Sequence, residues 1–245
     1  MHYKKSHING FFFSTLAIEL YIYFFIMINN FAKSNSLFNQ FLSEIRSSEI
    51  QLDRMRFRRN MERLGEIIAY EISKGMDYKS SDIETPLGVA KMNLLKEMPI
   101  IASIMRAGIP LHQGVLNYFD QADNGFISAY RRHHKNGKFE IELEYVSCPS
   151  IEGRVLILVD PMLASGKSME LAYKALLRYG TPKHVHIVSA IASVEGVNFL
   201  EKNINMNNVS LWFGAIDDEM TAQSYIVPGL GDAGDLSFGS KLQLD

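Results

Sequence analysis

The spacing of apolar residues changes several times along the chain, and each change marks a different element. Leu37, Phe41, Leu42 and Ile45 recur at three- and four-residue steps, as do Leu64, Ile67, Ile68 and Ile72. That spacing predicts helix across residues 38–76. Residues 99–105 form a short apolar run ended by Arg106-Ala107-Gly108, which reads as a strand entering a tight turn. Residues 126–130 read as a second strand, and residues 139–145 alternate apolar and acidic side chains, as a half-exposed strand or hairpin arm does. Residues 155–159 are a continuous β-branched and leucine run, expected of a central parallel strand covered on both faces. A helix over 168–178 closed by Gly180, a strand over 184–191, a helix over 194–202 and a strand over 209–216 follow. This alternation predicts an α/β fold with right-handed crossovers between parallel strands.

One stretch lies outside that rhythm. Residues 11–28 are almost wholly apolar, broken by Ser14, Thr15 and Glu19, and Lys4 and Lys5 precede them. About 18 apolar residues just span a bilayer if helical. Against an anchor, a charge at the helix centre costs roughly 2.5–3.5 kcal/mol on insertion scales. A small-residue cleavage site before Asn29 and Asn30 is lacking too. The expectation is an apolar leader, residues 1–26, outside the fold, with the functional chain starting at Met27 and a single domain over 27–245. A membrane anchor is the alternative.

Composition narrows the class of function. The 245 residues, 47% of them apolar, suffice for one large core. A formal net charge of −2 argues against a general nucleic-acid-binding surface. A single cysteine, Cys148, allows neither an intrachain disulfide nor a multi-cysteine metal site. One basic stretch stands out: Arg54, Arg56, Arg58, Arg59 and Arg63, interleaved with Asp53 and Glu62. It reads either as a solvated helix face with local ion pairs or as an edge facing a ligand or a second subunit.

In open α/β sheets, ligands bind beyond the carboxyl ends of the strands. The loop after the 155–159 strand is Asp160, Pro161, Met162, Leu163, Ala164, Ser165, Gly166, Lys167, Ser168. An acid at a strand tip can accept hydrogen bonds from ribose hydroxyls. The small-residue turn and helix start behind it can converge amides and a helix dipole on an anion. The loop therefore suits a sugar phosphate. Gly166-Lys167-Ser168 also ends a nucleotide-binding P-loop, but that motif's leading glycine would fall at Pro161, which has no amide to donate.

Residues 159–168 resemble the phosphoribosyl-diphosphate loop of the uracil phosphoribosyltransferases, a branch of the type I phosphoribosyltransferases. Tyr225-Ile226-Val227-Pro228-Gly229-Leu230-Gly231-Asp232-Ala233-Gly234-Asp235, followed by Phe238-Gly239, is similar to the family's uracil-binding segment. Arg106-Ala107-Gly108 resembles its diphosphate-binding turn, and Tyr130-Arg131 its second arginine site. Thr85-Pro86-Leu87-Gly88 and the arginine-rich helix before it are also similar. The likeness runs from about residue 27 or 35 to the end and leaves out the leader.

The resemblance implies the type I fold: a central, mainly parallel sheet flanked by helices, with a small hood and a β-arm. It implies a cytoplasmic enzyme of pyrimidine salvage that joins uracil N1 to C1′ of 5-phosphoribosyl 1-diphosphate, giving UMP and diphosphate. Arg106 and Arg131 would neutralise the leaving diphosphate, since the arginine fork stays charged and binds two oxygens at once. Asp160 would hold ribose hydroxyls, and Ala164 to Ser168 would cradle the 5′-phosphate, with Pro161, Met162 and Leu163 completing the loop. Mg²⁺ would be bound mainly through substrate and water, with Asp232 as the nearest protein carboxylate. Backbone at Ile226, Gly231, Asp232 and Ala233 would read the uracil edge and reject cytosine. No side chain suggests itself as base for N1.

The resemblance further implies a homodimer or larger assembly and raises GTP as a candidate activator, with no nucleic acid or membrane partner expected. Two positions depart from the family pattern: Lys167 stands where a small residue is usual, and Leu236 where a basic one is. The competing reading is a phosphoribosyltransferase-like regulator that binds nucleotide or RNA with little turnover. His184 and His186 alternate at a strand start and are expected to be structural. His133 and His134 belong to a polar loop, Trp212 and Phe213 to the core, and Cys148 has no partner suited to a nucleophile.

Overall fold

The computed structural model describes residues 28–133 and 139–241; the apolar leader and His134 lie outside the described residues. The sheet follows the order β1-β10-β9-β7-β4-β5-β6. Its strands are β1 (Ile28–Asn30), β4 (Ile100–Met105), β5 (Asp123–His133), β6 (Phe139–Ser147), β7 (Val155–Val159), β9 (His184–Ser193) and β10 (Val209–Asp217). Every pairing along it is parallel except β5 with β6. The short β8 (Met162–Leu163) lies parallel beside the end of β9. A mixed α/β fold with a mainly parallel sheet is therefore what the chain forms.

The two faces of that sheet explain the unbroken apolar run in β7. Ile157 and Val159 face one core with α1 (Leu37–Arg46), α2 (Arg54–Ser73) and α3 (Ile109–Tyr118). Leu156 and Leu158 face the other, with α4 (Lys167–Leu176) and α5 (Val194–Asn203). With helices on both sides, neither set of alternating positions meets water.

The helical pattern over 38–76 resolves into two helices. Ser36 caps α1 through Phe38 N and Asp53 caps α2 through Arg56 N, with a short turn between them. Phe57, Met61, Leu64, Ile68 and Ile72 repeat along α2 and are fully buried, while its arginines take the other positions. These arginines are used within the chain. Arg56 forms a two-pronged pair with Glu44, Arg58 donates to Ser237 O, and Arg59 pairs with Glu62 and Glu66. Arg63 donates to Asn60 and lies over the Phe41 ring. The basic stretch is thus a set of internal braces as well as a solvated face.

The β2 (Tyr78–Thr85) and β3 (Gly88–Leu95) hairpin forms its own two-stranded sheet, as an arm. A third small sheet pairs β11 (Glu219–Met220) with β12 (Ile226–Val227). The chain then runs into α6 (Ala233–Phe238), which is bound to α2 through Arg58. Among the described residues, no helix is long and apolar enough to cross a membrane.

Candidate active site

Three segments converge at the carboxyl end of the sheet. The first is the turn after β4. Ser103 of β4 lies in register with Val159 of β7, so this turn is beside the tip of β7. Gly108 opens α3 where a side chain has no space: a Cβ there would lie 2.4 Å from Ser103 Oγ and 2.6 Å from Ile104 O. The Met105–Arg106 peptide is cis.

The second segment is the loop from Asp160 to Ser168, whose first part β9 holds. Asp160 N donates to Val188 O, Ile191 N donates to Pro161 O, and β8 pairs Met162 with Ile191 and Leu163 with Ala192. The Asp160 carboxyl accepts from Met162 N, yet burial at the strand tip pushes its pKa up to about 7. A carboxyl taken from water resists ionisation until a partner compensates it. Gly166 takes φ +78° and caps α4 without a side-chain acceptor. The first-turn amides of α4 are therefore left for an outside anion. Ser165 and Ser168 are half-buried here, and Lys167 is exposed.

The third segment runs from β12 into α6. Ile226, Leu230 and Ala233 bury their side chains in the core, which anchors this stretch. Gly229 has φ +55°, and a Cβ on it would lie 2.1 Å from Ile226 O, so only glycine fits the turn. Asp232 caps α6 by accepting from Asp235 N at 3.0 Å, and its other oxygen lies 3.4 Å from Lys241 Nζ. Leu236 packs half-buried against the core near Gly231. Its departure from a basic residue is thereby accommodated as packing.

The first and third segments touch. Arg106 Nη2 donates to Asp235 Oδ1 at 3.1 Å and to Gly239 O at 2.9 Å. A Cβ on Gly234 would lie 3.7 Å from the Ala107 side chain. Arg106, Asp160 and Asp232 thus stand on three segments that meet at one end of the sheet. Arg131 falls on β5, but its side chain is outside the described part of the structure.

Several residues that shape the site carry no recognisable motif. Asp217, nearly buried at the end of β10, receives both terminal nitrogens of Arg46 at 2.8 Å and Gly229 N at 3.0 Å. Arg46 also donates to Gly229 O, so α1 pins the third segment directly. Asp235 steadies Arg106, and Ser193 and Gly196 lie against the Asp160–Ser168 loop. A serine ahead of a helix is a visible N-cap signal; the pairing of Arg46 with Asp217, 171 residues apart, leaves no local trace.

Among the described residues, no three His, Cys, Asp or Glu side chains gather as a metal cage. The site offers isolated carboxylates at Asp160 and Asp232, a donor set that fits a magnesium ion keeping most of its ligands from substrate and water. An open hollow of about 470 Å³ lies elsewhere, bordered by Val194, Asn198, Phe199, Lys202 and Asp218. It contains none of the expected site residues. His184 bonds to Ser210 and His186 accepts from Trp212, and burial holds His186 down near a pKa of 3. Burial likewise pushes the Cys148 thiol up to about 11, as suits an inert side chain.

A family model described as uracil phosphoribosyltransferase matches residues 32–240. The uracil phosphoribosyltransferase of Porphyromonas gingivalis is 51% identical over 208 residues, covering 85% of this chain and 96% of that one. The protein of the same name from Pyrococcus furiosus is 34% identical over 208 residues, covering 84% and 87%. Among solved structures, the AQ2163 protein from Aquifex aeolicus superposes with a TM-score of 0.77 at 28% identity, covering 89% of this chain and 100% of that one. The chain belongs to the uracil phosphoribosyltransferase family.

Proposed function

We propose that this chain transfers the phosphoribosyl group of 5-phosphoribosyl 1-diphosphate to uracil N1, forming UMP and diphosphate in pyrimidine salvage. The C1′–oxygen bond to diphosphate breaks, its electron pair leaving with diphosphate, as the N1–C1′ bond forms and the N1 proton passes to solvent. Positive charge grows on the sugar, so the protein's work is positioning and charge stabilisation. The single observation that carries this reading is the meeting of the Arg106 turn with the 231–235 turn, sealed by Arg106 on Asp235 and Gly239 O.

In this reading Arg106 and Arg131 hold the diphosphate. Asp160 accepts from ribose hydroxyls, and Ala164 to Ser168 bind the 5′-phosphate with backbone amides and the Ser165 and Ser168 hydroxyls. Lys167, exposed at the start of α4, adds positive charge beside that anion. Main chain at Ile226, Gly231, Asp232 and Ala233 reads uracil's O–NH–O edge. Magnesium, when bound with the substrate, would lend charge to the departing diphosphate, with Asp232 and Asp160 as the protein oxygens available to it.

We take residues 27–245 as one domain, acting in the cytoplasm as a homodimer or larger assembly. The assembly is favoured by the hairpin arm, where Ile83, Met92 and Leu94 share one face and stay substantially exposed. A two-stranded hairpin alone is marginal in water, and such a face gains by being covered. GTP activation is read by adding GTP to the same assay.

The deciding experiment incubates the purified chain with uracil, phosphoribosyl diphosphate and Mg²⁺ and looks for UMP. UMP formation is expected. Tight nucleotide or RNA binding without turnover would favour the regulator, and turnover with hypoxanthine or orotate instead would overturn the uracil assignment.

A further inference from the structure

Ser193 ends β9 and caps α5, and it is fully buried behind the Asp160–Ser168 loop. Its Oγ accepts from Gly196 N at 2.9 Å and donates to Ala164 O at 2.7 Å. A serine hydroxyl has one proton to give, and here it goes to the loop. In a trans peptide the carbonyl and the following N–H point to opposite sides. A carbonyl of Ala164 tied back toward α5 therefore directs Ser165 N–H the other way, away from α5.

The rest of the first turns of α5 fit the loop closely. A Cβ on Gly196 would lie 2.2 Å from Ala164 O and 2.8 Å from Leu163 O. One on Gly166 would lie 2.8 Å from Phe199 Cδ1 and 3.0 Å from Gly196 O. Gly196 and Phe199 of α5 thus form a close-fitting backing for the loop, and Ser193 is the point at which a polar bond sets the orientation of one peptide. A backing of this kind preorganises amide donors before ligand arrives.

We propose that Ser193 is a positioning residue for phosphoribosyl diphosphate, its hydroxyl turning the Ala164–Ser165 peptide so that Ser165 N–H faces the 5′-phosphate. This rests on the reading that Ala164 to Ser168 bind that phosphate. Neither the loop motif nor the uracil segment contains Ser193, and its role acts through the Ala164 carbonyl alone.

Three variants test it, each with KM for both substrates, kcat, calorimetric binding of ribose 5-phosphate, and a thermal melt. Ser193→Ala is expected to raise KM for phosphoribosyl diphosphate about tenfold, the worth of one charge-assisted amide contact. Ribose 5-phosphate should weaken in parallel, while KM for uracil stays within about twofold. Ser193→Asp retains an acceptor for Gly196 N but has no proton for Ala164 O, so KM for phosphoribosyl diphosphate should stay raised. Recovery in the Asp variant would assign the effect to the helix cap and overturn the proposal. Gly166→Ala separates the two readings, because it deforms the loop itself. A raised KM in Gly166→Ala with an unchanged one in Ser193→Ala would overturn the role of Ser193 and keep the phosphate loop. No change in either would overturn both.

Discussion

The Arg46–Asp217 pair links the first helix to the turn at Gly229 through one carboxylate, so its loss has a defined structural consequence. In Asp217→Asn, the amide nitrogen must replace one oxygen that now accepts a hydrogen bond. The less costly orientation puts it opposite Arg46 Nη2 and keeps the acceptor for Arg46 Nη1 and Gly229 N. One hydrogen bond between charged groups is then lost and replaced by two facing donors. Such bonds contribute about 1.5–3 kcal/mol, and with the Arg46 side chain 22% exposed, water recovers part of this. About 2 kcal/mol is a reasonable net loss, equivalent to a fall of about 4–8 °C in Tm for a domain of this size. If about 1.4 kcal/mol of that is felt at the Gly229 turn, uracil binding weakens about tenfold. Initial rates with uracil varied at saturating phosphoribosyl diphosphate, then the reverse, separate the two substrates, and a thermal melt gives the stability. A lower Tm with an unchanged KM for uracil would show that the pair braces the fold without positioning the uracil segment.

Asp232→Asn should lower kcat/KM by about 10²-fold and barely move Tm, since asparagine caps a helix as well as aspartate does; unaltered kinetics would remove Asp232 from the site. Burial raises Asp160 to about 7 in the folded protein, while the unfolded carboxyl ionises near its ordinary value of about 3.9. The folded state therefore holds the extra proton, and stability should fall as pH rises from about 4 to 7. The Tm advantage of Asp160→Asn over the parent should grow across that window and level off above it; a flat difference would contradict the burial argument. Hydrogen bonds from Arg56 and then Asn60 hold Glu44 down near a pKa of 2. Its stabilisation should be complete above the ordinary glutamate value and vanish as pH drops toward 2, so Glu44→Gln should flatten acid unfolding measured by circular dichroism, and an unchanged acid profile would refute the brace.

The sequence makes the middle of the sheet legible because burial on both faces leaves a pure apolar run at 155–159, and β7 occupies those residues. Strands β9 and β10 and helices α4 and α5 also fall close to their expected positions. Elements with little burial contrast are harder to read. In β2, Tyr78, Lys79, Ser80, Asp82, Ile83, Glu84 and Thr85 are all exposed, so no period-two pattern arises. Helix α3 carries Pro110, His112, Gln113, Gly114 and Asn117 among its ten residues, which blurs its apolar stripe. The same division holds at the site. Arg106, Asp160, Asp232 and the Ala164–Ser168 loop are local motifs and were expected from their neighbours in sequence. Asp217, Arg46 and Ser193 find their hydrogen-bond partners across long separations, where only the fold brings them together.

A crystal structure of the protein with UMP bound would locate the nucleotide site directly. The phosphate oxygens are expected at about 3 Å from the backbone amides of Ala164 to Ser168, with the base edge against the main chain of Ile226 and Gly231 to Ala233. A nucleotide seated elsewhere, for example in the hollow beside α5 between Val194 and Asp218, would contradict that placement.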